Sequence, residues 1–174
     1  MHLDFHEVHL RYYNGGGSVR DIRVVPPSRD LMVQAMETIR KEDLAEWYAG
    51  TGSCDIPTLL EHVYTGGTYA KVAIGRGHGP LMAFGVDPIG TGPGSVGSLW
   101  MFASENAESH KHSLHRALLP YLEEMQNGHF MLSALSDARN VKHHRWLEWL
   151  GFRFSEDTFA GPMGLPFKLY LRER

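Results

Sequence analysis

The chain has 174 residues, 43% of them hydrophobic and 21% charged, which is typical of a single globular domain with a sizeable core. Its net charge of −3 gives no support for a protein that binds nucleic acid by neutralising phosphates, so we expect no nucleic-acid partner. The one cysteine, Cys54, excludes an internal disulfide framework and a cysteine-based zinc site. No apolar run approaches the ~18 residues of a membrane span, and the N-terminal residues lack the pattern of a signal peptide. We therefore expect a cytoplasmic protein without a membrane partner.

The first half of the chain predicts a strand or hairpin arm, a short strand, three helices and a β-hairpin, separated by glycine- and proline-rich segments. In chain order these are residues 2–13, residues 22–25, a helix capped by Ser28, helices at 41–48 and 56–64, and strands at 68–74 and 81–86. The cap is predicted because a serine side chain accepts a hydrogen bond from the first free N–H groups of a helix. A glycine-rich turn at 14–18 follows the N-terminal arm.

The second half predicts two parallel strands joined by a helix. The strands are predicted at 98–103 and 130–135, with a loop at 104–111 before the helix. Apolar residues on one face predict the helix, and Gly128 is expected to stop it in the left-handed conformation. These apolar residues are Leu114, Ala117, Leu118, Tyr121, Leu122 and Met125. The first turn of this helix, near Ser113, is predicted to attract an anion because its N–H groups lack helical partners.

The end of the chain predicts a last helix, opened by Asn140, and two closing strands at 152–154 and 167–171. The order of elements predicts an α/β (α+β) fold, with a central mixed and twisted sheet of about six or seven strands flanked by helices. We expect one domain over residues 1–174, with residues 1–19 as an N-terminal arm or extra strand.

Three segments, taken with this element order, are similar to the GNAT family of N-acyltransferases. Asn140–Phe152 is similar to the family's last helix with its Leu-Gly-Phe ending, and Arg116–Leu119 matches the helix that follows the pyrophosphate loop. Ile39–Glu46, preceded by Ile22–Pro26, resembles a narrower set, the GNAT-like proteins of short-tailed bacteriophages, which includes the internal virion protein A family. The resemblance implies the GNAT fold over roughly residues 20–174.

The resemblance also implies acetyl-CoA as the cofactor and an amine, on a small molecule or a protein, as the acetyl acceptor. The residues at the positions where the family binds the cofactor are Met101, Phe102, Ala103, His110, Lys111, His112, Ser113, Leu114, His115 and Asn140. Basic and protonatable side chains at the start of a helix suit a phosphate group. We expect Glu105 or Glu108 to act as the general base on the amine, with a histidine of residues 110–115 as the alternative.

Three positions depart from the family's pattern. Ser113 and His115 stand where the pyrophosphate loop has small residues, and the bulk of His115 obstructs the loop if its side chain points inward. Leu147 stands where many members have the tyrosine that protonates the leaving thiolate. Tyr121, Tyr170 or a water molecule remain as alternatives for that acid.

These departures leave a second hypothesis open. In it the chain is a catalytically degenerate GNAT-like bacteriophage protein that acts in virion assembly or by binding a host protein, in the cytoplasm of the host bacterium. A homodimer is also left open. No metal site is predicted, because the closely spaced histidines lack an obvious further ligand.

Overall fold

The computed structural model describes residues 21–65, 69–91 and 94–174. The arm predicted at 2–13 and the turn at 14–18 lie outside the described residues. The strands are β1 (Ile22–Val25), β2 (Tyr69–Gly75), β3 (Gly79–Ile89), β4 (Val96–Ala103), β5 (Met131–Asp137), β6 (Arg153–Ala160) and β7 (Leu165–Glu173). The α-helices are α1 (Arg29–Glu37), α2 (Lys41–Thr51), α3 (Ile56–Thr65), α4 (Lys111–Asn127) and α5 (Val141–Trp149), and a 3₁₀ helix spans Glu105–His110.

The seven strands form one mixed sheet in the order β1-β2-β3-β4-β5-β7-β6. Among the described strands, only β4 and β5 pair in parallel, and α4 makes the connection between them. Every other neighbouring pair is antiparallel. The predicted α/β fold, with its central mixed sheet and its parallel pair, is confirmed.

Helices cover both faces of the sheet, and each face has its own apolar core. On one face α4 and α5 pack against the sheet through fully buried leucines, of which Leu114 and Leu147 are examples. On the other face α1 and α3 pack on it through Met32 and Leu59. Burial of these stripes stabilises the helices by about 1.5–3 kcal/mol for each large side chain. Among the described helices, none has both the length and the apolar character that crossing a membrane requires.

The segment before α4 differs from the prediction. Residues 104–111 were expected to form a loop, but the 3₁₀ helix fills most of this segment and continues into α4, which begins at Lys111. The reason is local: the Lys111 N–H donates to the Glu108 carbonyl with the i→i−3 spacing of a 3₁₀ turn. The prediction for Gly128 is also wrong, since its φ of −77° is right-handed and a left-handed stop is therefore absent there.

The last third of the chain follows the prediction more closely. Asn140 caps α5 by accepting a hydrogen bond from the His143 N–H, 3.3 Å away. The closing strands β6 and β7 are longer than the predicted 152–154 and 167–171. Most of β6 is exposed on both faces, so its sequence lacks the alternation of apolar and polar residues by which a half-buried strand is recognised.

Candidate functional site

The parallel strands β4 and β5 separate at their carboxyl ends. Their pairing runs from Val96 and Met131 to Leu99 and Ala134, and no pairing between them is recorded beyond that point. Each strand stays paired with its outer neighbour up to Ala103 on β4 and Asp137 on β5. A gap between the two halves of the sheet follows, and we call the space between residues 100–103 and 135–137 the wedge.

The start of α2 lies along the β4 side of the wedge. The Arg40 N–H donates to the Ala103 carbonyl at 2.9 Å, and the Ala103 N–H donates to the Asp43 carboxylate at 2.7 Å. The Glu105 N–H in turn donates to the Thr38 carbonyl at 3.0 Å. Both backbone groups of Ala103 that face the wedge are thus already hydrogen-bonded within the chain.

A buried ion pair fixes this arrangement. The Arg40 guanidinium binds the Asp43 carboxylate through two nitrogens, with N–O distances of 2.7 Å from Nη2 and 3.1 Å from Nε. Only 8% of Arg40 and 4% of Asp43 is exposed. A bidentate pair of this kind has a defined geometry, which makes it more directional than a pair formed by lysine.

Side chains from three elements extend this ion pair across the wedge. Asn140 donates through its side-chain amide to Asp43 at 3.0 Å and to Glu46 at 2.7 Å. Glu46 also accepts from the Ser136 hydroxyl at 3.2 Å and from His143 Nδ1 at 3.0 Å. The chain of contacts therefore runs from Ala103 on β4 to Ser136 on β5. We call this set, which consists of Arg40, Asp43, Glu46, Ser136, Asn140 and His143, the polar bridge.

His143 and His144 are adjacent but have different surroundings. Burial of His143 lowers its pKa, but the attraction of Glu46, their hydrogen bond and the charge of Asp43 outweigh burial and the opposing Arg40, so the pKa is raised. His144 donates from Nε2 to the Asp137 carbonyl at 2.9 Å and stacks on Tyr170. Burial, assisted by the charge of His143, lowers the pKa of His144 despite that hydrogen bond.

These opposite shifts predict opposite pH dependences of stability. A raised pKa means that His143 stabilises the folded state below its ordinary pKa of 6.5 and loses that contribution as the pH rises through the folded-state pKa. A lowered pKa means that the contribution of His144 is present above 6.5 and is lost as the pH falls. We expect the stability difference between wild type and His143→Gln to shrink as the pH rises above 6.5. The difference for His144→Gln should shrink as the pH falls, and urea unfolding at a series of pH values measures both. If the stability difference from wild type changed with pH in the same direction for both variants, the opposite pKa shifts of His143 and His144 would be contradicted.

The first turn of α4, which was predicted to attract an anion, is not an open helix end, because the 3₁₀ helix precedes it directly. His110 there donates from Nδ1 to the Asn106 carbonyl at 3.0 Å, and the same nitrogen lies 3.0 Å from the Ser109 hydroxyl. Lys111 forms an exposed ion pair of 3.4 Å with Glu108, one of the two glutamates proposed as general base. Glu105, the other, is exposed at the start of the 3₁₀ helix.

The remaining predicted cofactor residues differ in their burial and contacts. The side chains of Phe102 and Leu114 are buried in the two cores, so only their backbone groups can face a ligand. Half-buried His115 stacks on Trp149 with a ring-centroid distance of 4.3 Å, and exposed His112 meets the same ring edge-on at 5.4 Å. Burial, with a smaller contribution from His112, lowers the pKa of His115. The His115 side chain, whose bulk was expected to obstruct the pyrophosphate loop if it pointed inward, therefore packs against α5. Met101 and Ser113 are half-buried.

A cleft of about 310 Å³ opens beside the polar bridge, at the carboxyl end of β5. Its lining residues are Lys41, Glu42, Ala45, Asp137, Arg139 and Asn140. Arg139 donates to Asp137 from Nε at 2.9 Å, and this hydrogen bond is the main cause of the lowered pKa of the carboxyl group. Asn140 belongs both to the cleft and to the polar bridge, so the cleft adjoins the polar bridge. Within the described residues, no group of three or more His, Cys, Asp or Glu side chains could hold a metal ion.

Sequence reasoning identified one member of the polar bridge, Asn140, as a site residue. Arg40, Asp43 and Glu46 were recognised only as part of a segment similar to phage proteins. His143 was recognised only within the segment Asn140–Phe152 and among the closely spaced histidines for which no metal site is predicted. The spacing of Asp43 and Glu46, which places both carboxylates on one face of α2, was the available signal. Nothing local indicates that α5 would meet that face.

No family model matches the sequence, and no curated protein matches it. Solved structures do match. Spermidine N-acetyltransferase from Vibrio cholerae, in complex with CoA and spermine, has a TM-score of 0.66 at 10% identity, covering 88% of this chain and 96% of that one. The enzyme AAC(6')-Ib in complex with ribostamycin and coenzyme A has a TM-score of 0.66 at 14% identity, covering 88% and 94%.

A third structure, YncA from Salmonella typhimurium with its cofactor acetyl-CoA, has a TM-score of 0.61 at 14% identity, covering 88% of this chain and 94% of that one. At these identities the similarity establishes the fold alone. The chain therefore has the fold of N-acetyltransferases, as the resemblance implied, over nearly nine-tenths of its length.

Proposed function

We propose that this chain is an N-acyltransferase that moves an acetyl group from acetyl-CoA to an amine. The observation that carries the proposal is the separation of β4 from β5 beyond Leu99 and Ala134, in a fold shared with acetyltransferases whose structures contain CoA. A gap between parallel strands gives an extended ligand access to backbone N–H and C=O groups. Holding the thioester and the amine together there supplies the proximity on which a direct transfer depends.

The pantetheine arm is proposed to lie along β4 at Met101, Phe102 and Ala103, with the pyrophosphate near the start of α4. Because Arg40 and Asp43 already bond both wedge-facing groups of Ala103, the coenzyme must displace these bonds as it enters. The pantetheine amides can replace them one for one, since they too carry an N–H donor and a carbonyl acceptor. His110, Lys111 and the histidines behind them supply the charge that a pyrophosphate favours.

The acceptor is proposed to be a small-molecule amine that enters through the cleft beside Asn140. The neighbours in complex with spermine and ribostamycin support this class, because both compounds are amines. Between the two glutamates, Glu105 is the better general base, since Lys111 engages Glu108. Glu105 follows Ala103 by two residues, and its N–H is bonded to Thr38 at the edge of the wedge.

Titration calorimetry with acetyl-CoA, followed by acetylation assays with polyamines and aminoglycosides, tests the proposal. We expect heat of binding and an upward shift of the melting temperature. Lys111→Glu should weaken CoA binding at least several-fold, because it reverses a charge at the proposed pyrophosphate site. Arg153→Glu, an equal charge change on the exposed strand β6, is the control and should leave the affinity nearly unchanged. Equal affinity for CoA in wild type and Lys111→Glu would move the pyrophosphate elsewhere.

The polar bridge itself supports a second candidate function. A wedge filled by the chain's own buried side chains is what a catalytically degenerate protein of this fold needs, because an empty gap between strands would leave backbone groups unpaired. Such a protein would act in virion assembly or by binding a host protein. If millimolar acetyl-CoA gives neither heat of binding nor a shift of the melting temperature, the result would favour this candidate and contradict the proposed acyltransferase activity.

A further inference from the structure

The position of His143 at the wedge gives it a role in the proposed acyl transfer, and this inference rests on that proposed function. His143 lies in the first turn of α5 and reaches the β5 side of the wedge. Its Nδ1 is 3.0 Å from Glu46 on α2 and 3.2 Å from the hydroxyl of Ser136, which lies on β5 beyond the separation at Ala134. Its backbone N–H is bonded to the Asn140 side chain at 3.3 Å. The imidazole is therefore held on one edge by two side chains.

The opposite edge of the ring has no such partner. Nε2 of His143 makes no hydrogen bond within the described residues. It is also shielded from water, since the side chain is only 8% exposed. A buried donor without an acceptor costs about 1–3 kcal/mol, and native structures contain few of them. The unpaired nitrogen in an otherwise satisfied polar bridge is the observation that calls for a ligand atom.

The charges around the ring favour its protonated form. The carboxylates of Glu46 and Asp43 on α2 outweigh burial, which is the largest opposing cause, and the guanidinium of Arg40 just before that helix. His144 on α5 is the other titratable group next to His143. The raised pKa of His143 agrees with this balance. A protonated imidazole with a free N–H is a proton donor, and it fills the need left by Leu147, which has no proton to give and lies one turn further along the same buried face.

We propose that His143 gives its Nε2 proton to the sulfur of CoA when the thioester breaks. The amine nitrogen attacks the thioester carbonyl, the C–N bond forms, and the C–S bond breaks with its electron pair going to sulfur. The sulfur takes the Nε2 proton and leaves as the free thiol. The amine loses one proton to base, and the neutral imidazole regains one from solvent before the next turnover. Glu46 acts as a positioning residue that keeps Nδ1 engaged, so that Nε2 is the nitrogen left for the ligand.

Binding experiments test whether the sulfur reaches His143, without any need for turnover. CoA and desulfo-CoA, which lacks the sulfur, are titrated into the ¹⁵N-histidine-labelled protein, with calorimetry in parallel. We expect both to bind and only CoA to shift the Nε2 resonance of His143. If both bind and neither shifts it, the assignment of His143 falls while the coenzyme site stands. If neither binds, the proposed function fails and takes the assignment with it.

Kinetics then separates proton donation from a structural role. His143→Gln should lower kcat by about 10²–10⁴-fold, the range found for general acids, and change the KM for acetyl-CoA by no more than about twofold. The wild-type kcat should fall at high pH as His143 loses its proton, and the variant should lack that limb. His144→Gln, the buried neighbour that faces Asp137, is the matched control and should keep the limb. A parallel loss of kcat in both variants, with the alkaline limb retained in His143→Gln, would overturn the proposal.

Discussion

Asp43→Ala is expected to lower the free energy of unfolding by about 3–5 kcal/mol, the usual cost of removing one partner of a buried ion pair. The Asp43 carboxylate accepts hydrogen bonds from Arg40, from the Ala103 N–H and from Asn140. Its removal leaves the Arg40 guanidinium buried without its counter-ion and leaves a strand N–H without its acceptor. Since domains of this size have total stabilities of about 5–15 kcal/mol, the variant should be close to the limit of folding.

Urea unfolding followed by circular dichroism measures this loss. Glu42→Ala is the matched control, because it removes a neighbouring carboxylate of the same helix that is not part of the polar bridge, and it should change stability by less than about 0.5 kcal/mol. Arg40→Ala combined with Asp43→Ala should cost less than the sum of the single variants, because the double variant buries no unpaired charge. A loss below 1 kcal/mol in Asp43→Ala would show that the ion pair is solvated in solution.

Gly161→Ala should have a comparably large effect, a loss of about 2–6 kcal/mol in the free energy of unfolding. Gly161 lies in the β6–β7 turn at φ +73°, where a non-glycine residue is strained by about 1–3 kcal/mol. A Cβ there would also overlap the Ala49 carbonyl oxygen and lie 2.9 Å from the Ala49 carbonyl carbon, at the end of α2. These are backbone atoms of a helix, so they cannot turn away as a side chain would, and overpacking adds about 1–3 kcal/mol.

Gly164→Ala provides the control in the same turn. Gly164 has a similar φ of +57°, but a Cβ there would meet no atom within 4 Å. Gly164→Ala should therefore be destabilised only by the backbone strain. The difference in stability between the two variants then measures the contact of the turn with α2. We expect Gly161→Ala to lower the melting temperature more than Gly164→Ala does, by about 2–4 °C for each kcal/mol in a chain of this length. Equal losses in the two variants would show that the turn does not pack on α2.

The two variants probe opposite ends of α2, the helix that carries Asp43 and Glu46 into the wedge. Asp43 near its start is bonded to β4, and Gly161 packs against its end. A loose α2 would misplace Glu46, and through it the His143 imidazole. We therefore expect Gly161→Ala to impair any activity that depends on the polar bridge, beyond its cost in stability.

Most elements could be predicted from local signals. Ile22–Val25 was predicted with the bounds that β1 has, and Ser28 and Asn140 cap the helices that they were expected to open. The 3₁₀ helix before α4 was missed because its residues are mostly polar and show no helical stripe over six positions. The strand β6 was predicted to be shorter than it is, because its exposed middle carries the polar residues Ser155, Glu156 and Asp157.

The candidate site was less accessible from the sequence. Asn140 was predicted as a helix cap from its local signature, and as a site residue only through the resemblance to the GNAT family. Glu46 and His143 lie 97 positions apart and meet only after α2 and α5 have packed on the ends of β4 and β5. Their spacing along the chain is set by the whole domain between them, so no motif of fixed length could join them.

The sequence alone determined the order of helices and strands and the expected parallel pair at the centre, because periodicity, caps and turn residues act within one or two turns of chain. The likeness to acyltransferases came from the segments Asn140–Phe152, Arg116–Leu119 and Ile39–Glu46. The tertiary structure alone decided that the gap between β4 and β5 is crossed by Arg40, Asp43, Asn140, Glu46 and His143. From the sequence alone, charged and polar side chains such as these are expected to be exposed to solvent. Burial and pairing come from residues brought together by folding, and the chemistry of the wedge depends on both.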